Sequence, residues 1–104
     1  MEPPPFATRS LPEAADTLAP DGSEIRILPQ LPRGSMVHAR HAPGAVSKAV
    51  VHRTVEELWY VIAGRGEMWR RQGEREEIVA LRPGVALSIP VGTAFQFRNT
   101  GSEP

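Results

Sequence analysis

The sequence contains no cysteine, which removes disulfides, thiol nucleophiles and thiolate metal sites together. It has no excess of either charge. Twelve basic residues balance twelve acidic ones, so no field draws the chain to nucleic acid or to an anionic membrane. The basic residues are also dispersed, with Arg70 and Arg71 the only adjacent pair, which argues against a phosphate-binding stripe. Long apolar runs are missing as well: the longest, Leu58 to Ala63, is far too short to cross a bilayer. The start, Met1-Glu2-Pro3-Pro4-Pro5, lacks the basic and apolar regions of a signal peptide. These absences lead us to expect a soluble cytoplasmic domain. Convincing helical periodicity is absent too, at every point after Pro20.

What is present suits one domain with one core: 104 residues, 40% of them hydrophobic. Glycine and proline divide the chain into short pieces. Residues 1–20 are Pro-rich and polar and read as an irregular arm, with room for one helical turn over Pro12 to Asp16 because proline suits a first helical position. From Asp21 to Pro104 the pattern is a succession of short strands: Glu24–Leu28, Ser35–His41, Ala45–Arg53, Glu57–Ala63, Glu67–Arg71, Glu76–Leu81, Val85–Ile89 and Ala94–Arg98. Asp21-Gly22, Pro29, Pro32 with Gly34, Ala42-Pro43-Gly44, Gly64-Arg65-Gly66, Gln72-Gly73, Arg82-Pro83-Gly84 and Pro90-Val91-Gly92 separate them. Short strands at regular spacing predict an all-β barrel or sandwich.

Two of these strand pairs share a spacing. Residues 44–64 read Gly44, five residues, Val50, one residue, His52, four residues, Glu57, six residues, Gly64. Residues 84–99 read Gly84, five residues, Pro90, one residue, Gly92, two residues, Phe95, three residues, Asn99. Both resemble the two motifs of the cupin superfamily, G-x5-H-x-H-x3,4-E-x6-G and G-x5-P-x-G-x2-H-x3-N. The resemblance runs from about Ser35 to Asn99 and implies a double-stranded β-helix, the jelly-roll barrel. It also implies a further strand after the second motif, where the sequence stops at Pro104, so that residues beyond Pro104, another segment such as the N-terminal arm, or a partner chain would close that edge.

Strand alternation then assigns faces. The family places its glutamate inside the barrel, which puts Glu57, Trp59 and Val61 inward and Leu58, Tyr60 and Ile62 outward. Val50 and His52 share one face, as do Phe95, Phe97 and Asn99; Gln96 points the other way. The expected ligand pocket is therefore Val50, His52, Glu57, Trp59, Phe95 and Phe97. The outward trio is apolar enough to need a cover, either a second copy in a homodimer or the N-terminal arm.

The family's metal centre is built from three histidines and the glutamate, an N3O set that suits Mn, Fe, Ni or Zn. Here Val50 and Phe95 stand at two of the histidine positions, leaving His52 and Glu57. Two ligands fall short of the three or four that usually hold an ion, so no cofactor is expected; a metal, if bound, would need His38 as an atypical third ligand. Without metal, His52 and Glu57 in an apolar interior would be drawn into a hydrogen-bonded pair. Such a pair can abstract a proton beside a carbonyl or protonate a leaving group, the chemistry of metal-free isomerases and cyclases. It can equally be a buried contact that fixes strand register. Trp59, Phe95 and Phe97 can stack on a flat metabolite or simply fill the core, and Met68 and Trp69 suit core or interface. Three functions stay open: a metal-independent cupin binding or isomerising a small, partly apolar metabolite; a divalent-metal cupin enzyme, oxygenase or isomerase; and a non-catalytic ligand-sensing or interaction module.

Overall fold

The computed structural model describes residues 2–20 and 22–104. Those residues form nine strands: β1 (Thr17–Leu18), β2 (Glu24–Leu31), β3 (Gly34–Arg40), β4 (Val50–Val51), β5 (Glu57–Tyr60), β6 (Gly66–Gln72), β7 (Arg75–Leu81), β8 (Ala86–Ile89) and β9 (Ala94–Asn99). All pairings are antiparallel, and among the described residues no helix is long and apolar enough to cross a membrane. The chain divides into two units, residues 1–40 and 41–104.

The first unit is a three-stranded sheet in the order β1-β2-β3. The single helical turn expected over Pro12 to Asp16 is not formed. Instead the arm bends at residues 13–14 and then pairs Thr17 and Leu18 with Ile25 and Glu24. Arg26 explains the bend, since its Nε and Nη2 donate to the carbonyls of Pro12 and Glu13 and hold the arm extended. Of the turn expected at Asp21-Gly22, Asp21 lies outside the described residues. Pro29 was expected to end its strand, yet β2 continues to Leu31, because the register shifts between Ile27 and Gln30. Proline is tolerated at such a bulge, where no ladder donor is required.

Asp16 ties the arm down. The Arg9 guanidinium donates to both of its oxygens, at 3.0 and 3.1 Å, and the Ile27 N–H donates to Oδ2 at 2.8 Å. The bond from Arg9, then that from Ile27, holds the Asp16 carboxyl below its ordinary value of 3.8. A lowered folded value means that the tether is complete above 3.8 and is lost as pH falls through the lower one. The Ile27 amide resonance is expected to move with that low midpoint in an NMR titration, and to stop titrating in Asp16→Asn.

The second unit holds a four-stranded sheet, β4-β9-β6-β7, and a two-stranded one, β5-β8. Its core is Met68, Leu81, Leu87, Ile89 and Phe95, with Trp59, Val61, Val79 and Phe97 packed against it. Met68 and Phe97 are register partners, so the side chains of β6, β7 and β9 come from one face of the larger sheet, while Leu87 and Ile89 of β8, opposite Trp59 and Glu57, come with Trp59 from one side of the β5–β8 pair. Trp69 takes the opposite face of β6, where its indole N–H donates to Glu76 at 2.6 Å. The β6–β7 hairpin closes through Gly73-Glu74, with Gln72 opposite Arg75 and Gly73 at φ +59°. A positive φ at the first of two loop residues is the II′ pattern that suits the strand twist.

The strand expected over Ala45–Arg53 is interrupted. Val46 bridges Arg98, whereas Val50 faces Phe95, so one extra residue is inserted on the earlier strand as a bulge. Ser47 fills the gap: its hydroxyl accepts the Phe97 N–H at 3.0 Å and its own N–H donates to the Phe97 carbonyl. At the end of β9, buried Asn99 fastens three segments. Its amide donates to the carbonyls of His41 and Glu103, and its side-chain oxygen accepts the Gly101 N–H. Asn99→Ala orphans all three groups and is expected to cost about 3 kcal/mol, read as a lowered urea midpoint with an unchanged slope.

Candidate functional site

The site begins with the alternation along β5. Glu57 and Trp59 are two residues apart on one strand and share a face, which lets the Trp59 indole N–H donate back to Glu57 Oε1 at 3.1 Å. The other carboxylate oxygen, Oε2, lies 3.0 Å from His52 Nε2. His52 follows β4 directly, and its carbonyl accepts the Gly92 N–H of the Pro90–Gly92 turn at 2.9 Å. That bond fixes where the imidazole leaves the backbone. Its ring sits 5.5 Å from the Phe95 ring, tilted by 50°.

His52 and Glu57 thus meet as expected, but not in a sealed cavity. Their side chains are 42% and 31% exposed, so the pair is reachable from solvent while Phe95, at 3% exposure, closes it from below. Val50, directly opposite Phe95, is partly exposed beside it. Trp59 and Phe97 meet edge to face at 4.9 Å. They belong to the packing around the core as well as to the site.

The arrangement has a clear proton logic. A carboxylate only accepts, so His52 must carry a proton on Nε2 to bond Glu57. In the neutral imidazole this leaves Nδ1 as the free basic nitrogen, held in one tautomer by its carboxylate partner. The Trp59 N–H on the second oxygen keeps the carboxylate aimed. Together the three side chains can take or return one proton at Nδ1.

The metal centre implied by the family's motifs does not fit these residues. His52 and Glu57 supply two donors, Val50 and Phe95 supply none, and among the described residues no three His, Asp or Glu side chains group in a way that could hold an ion. His38 lies on β3 opposite Arg26.

Two polar groups beside this cluster escaped the sequence reading. His41 stacks edge to face on Phe97, ring centres 5.0 Å apart, and both its ring nitrogens are buried without a hydrogen-bond partner. Thr93, next to Gly92, is buried with its hydroxyl likewise unpartnered. Alternation cannot be carried through the Pro43-Gly44 and Pro90–Gly92 turns, so neither residue had a face assigned by parity.

Outside the site, Leu58, Tyr60 and Ile62 are 87%, 68% and 63% exposed, as their parity requires. The two small residues Ser88 and Ala86 lie opposite Leu58 and Tyr60.

Comparison with known proteins supports the architecture. A CENP-C cupin domain of Drosophila melanogaster superimposes with a TM-score of 0.77 at 16% identity, covering 98% of this chain and 79% of that one. A recombinant oxalate oxidase in complex with glycolate gives 0.74 at 23% identity, covering 94% of this chain and 54% of that one. TT1209 from Thermus thermophilus gives 0.61 at 26% identity, covering 84% of this chain and 79% of that one. These likenesses show the fold, a jelly-roll barrel. A comparison with curated proteins finds no match. The sequence profile described as a cupin domain matches residues 37–104, well over half of the chain, and the chain therefore belongs to the cupin family.

Proposed function

We propose that this cupin binds a small, partly apolar metabolite against Phe95, Val50 and Trp59 and moves a proton on it without a metal, through His52 and Glu57, in the cytoplasm. The observation that carries this reading is the double capping of Glu57, by His52 on one oxygen and Trp59 on the other. A carboxylate that served only to set strand register would need neither an oriented imidazole nor solvent access. Ligands with an acidic proton beside a carbonyl suit a base at Nδ1.

The test is a ligand-observed NMR screen of small carbonyl compounds in D2O. Compounds that bind are expected to shift the Trp59 and His52 signals and to gain deuterium beside the carbonyl. Glu57→Gln should bind them within a few-fold but exchange at least about 100-fold more slowly, the usual worth of a positioned acid or base. Binding without exchange in the wild type would turn the reading to a ligand-sensing module.

We also propose that a second copy covers Leu58, Tyr60 and Ile62. The large side chains of β5 and the small Ala86 and Ser88 of β8 form a ridge beside a shallow groove, which two copies related by a two-fold axis can interleave. The Arg70 guanidinium borders the groove, where it donates to the Ser88 carbonyl at 2.9 Å. Light scattering is expected to give a dimer mass at micromolar concentration and a monomer for Tyr60→Glu. A monomeric wild type would leave this face to a different partner protein, the arrangement of an interaction module.

A further inference from the structure

The β2–β3 hairpin carries a polar face that plays no part in the reading above. Glu24 is the register partner of Arg40, and Arg26 that of His38, so all four side chains share one face of the sheet. Among these four residues two guanidinium groups stand against one carboxylate, and Asp16, already paired with Arg9, is close enough to act on Arg26 as well.

Arg26 is the centre of it, at 4% exposure, a depth that arginine reaches only when paired. Its pairing is incomplete. Nε donates to Pro12 O at 2.8 Å, and Nη2 serves Glu13 O and, at 3.1 Å, Glu24 Oε1. Nη1 is shielded from solvent and has no partner, and the same holds for Nδ1 of His38 on the facing strand. Leaving a buried donor of a charged group unpaired is costly. The two unpartnered atoms belong to directly opposed residues, whose Cβ atoms lie about 5 Å apart in a strand pair.

We propose that Arg26 Nη1 and His38 Nδ1 form a binding site for a small monoanion, a carboxylate group or an ion of that size. Nη1–H and Nδ1–H each donate to the anion. The site does not depend on the His52–Glu57 reading.

The experiment is a titration of the nitrogen-15-labelled full chain with sodium acetate, replacing sodium chloride at constant ionic strength. Saturable shifts are expected in the Arg26 side-chain and His38 ring signals, and the urea midpoint should rise with acetate by mass action. His38→Phe replaces the imidazole by a slightly larger ring without nitrogen and removes neither acceptor of the Arg26 contacts to Pro12 and Glu13. It is expected to weaken acetate binding at least about tenfold, the worth of one hydrogen bond to a charged group. Arg26→Lys, which keeps the charge but loses the fork, should abolish the saturable response. Shifts that grow linearly with acetate, or a His38→Phe variant that binds as the wild type does, would overturn the proposal.

Discussion

A Val50→His, Phe95→His double variant is expected to bind Zn, Ni or Mn at least about 100-fold more tightly than the wild-type chain, since even an outer-shell partner of a metal ligand is worth about 10–100-fold. The geometry behind this is explicit. Val50 and Phe95 are directly opposed in register, His52 lies two residues beyond Val50 on the same side by alternation, and Glu57 is bonded to His52 at 3.0 Å. Two new imidazoles would therefore complete an N3O set around a gap that Phe95 now fills. The gain has a cost in stability. Phe95 belongs to the buried core, and a smaller polar ring there is expected to lower the unfolding free energy by about 2–3 kcal/mol. Calorimetric titration of tag-free protein reads the affinity, and a urea curve confirms that the variant is folded. A folded double variant with wild-type affinity would mean that the four positions do not converge.

The second large effect is expected at Gly66. Gly66→Ala should lose about 3 kcal/mol or more, because a Cβ at this position would sit 2.3 Å from the Arg98 carbonyl oxygen. That oxygen is backbone in the adjacent strand and cannot swing aside as a long side chain would. Gly66 pairs with Leu81 on one side and Asn99 on the other, so β6 has no free edge toward which to shift. Gly73, just past the far end of β6 and with nothing near its Cβ position, makes the contrast: an alanine there meets only the strain of a positive φ. A loss at Gly66 under about 1 kcal/mol, measured by the shift in urea midpoint, would contradict the close approach described above.

Gly66 also shows how far the sequence could be read. Its glycine-rich neighbourhood marked the end of one strand and the start of the next, and that was correct. That the residue is excluded from being anything larger depends on a distant backbone segment, at Arg98, which local pattern does not contain. The alternation along β5 was legible for a different reason. Glu57 and Trp59 sit on a regular strand that ends at Tyr60, and the alternation carries one step further, so period-two reasoning separated these two and Val61 from the exposed Leu58, Tyr60 and Ile62. It weakened wherever the chain left regular geometry. The bulge between Val46 and Val50 interrupted the strand expected over Ala45–Arg53, of which Val50–Val51 is formed, and Pro29 was absorbed by another bulge in β2. The arm residue Thr17 gained a strand partner that its Pro-rich surroundings did not suggest.

The site divides along the same line. His52 and Glu57 could be paired from motif spacing, but not the Trp59 N–H on the second oxygen, which requires a particular rotamer of the indole. Nor could the openness of the pair be read, since exposure depends on what the turns at Pro43-Gly44 and Pro90–Gly92 leave uncovered. His41, Thr93 and Arg26 were missed because their significance is a lack of partners, a property that appears only in three dimensions.

The measurement that bears most directly on the proposed chemistry is the tautomer of His52. Long-range proton–nitrogen correlation of the imidazole rings at a pH where His52 is neutral should show Nε2 bearing hydrogen and Nδ1 bare, with the Nε2 signal displaced in Glu57→Gln. A ring protonated at Nδ1, or one exchanging freely between tautomers and indifferent to Glu57→Gln, would mean that the carboxylate does not orient the imidazole and that no poised base exists.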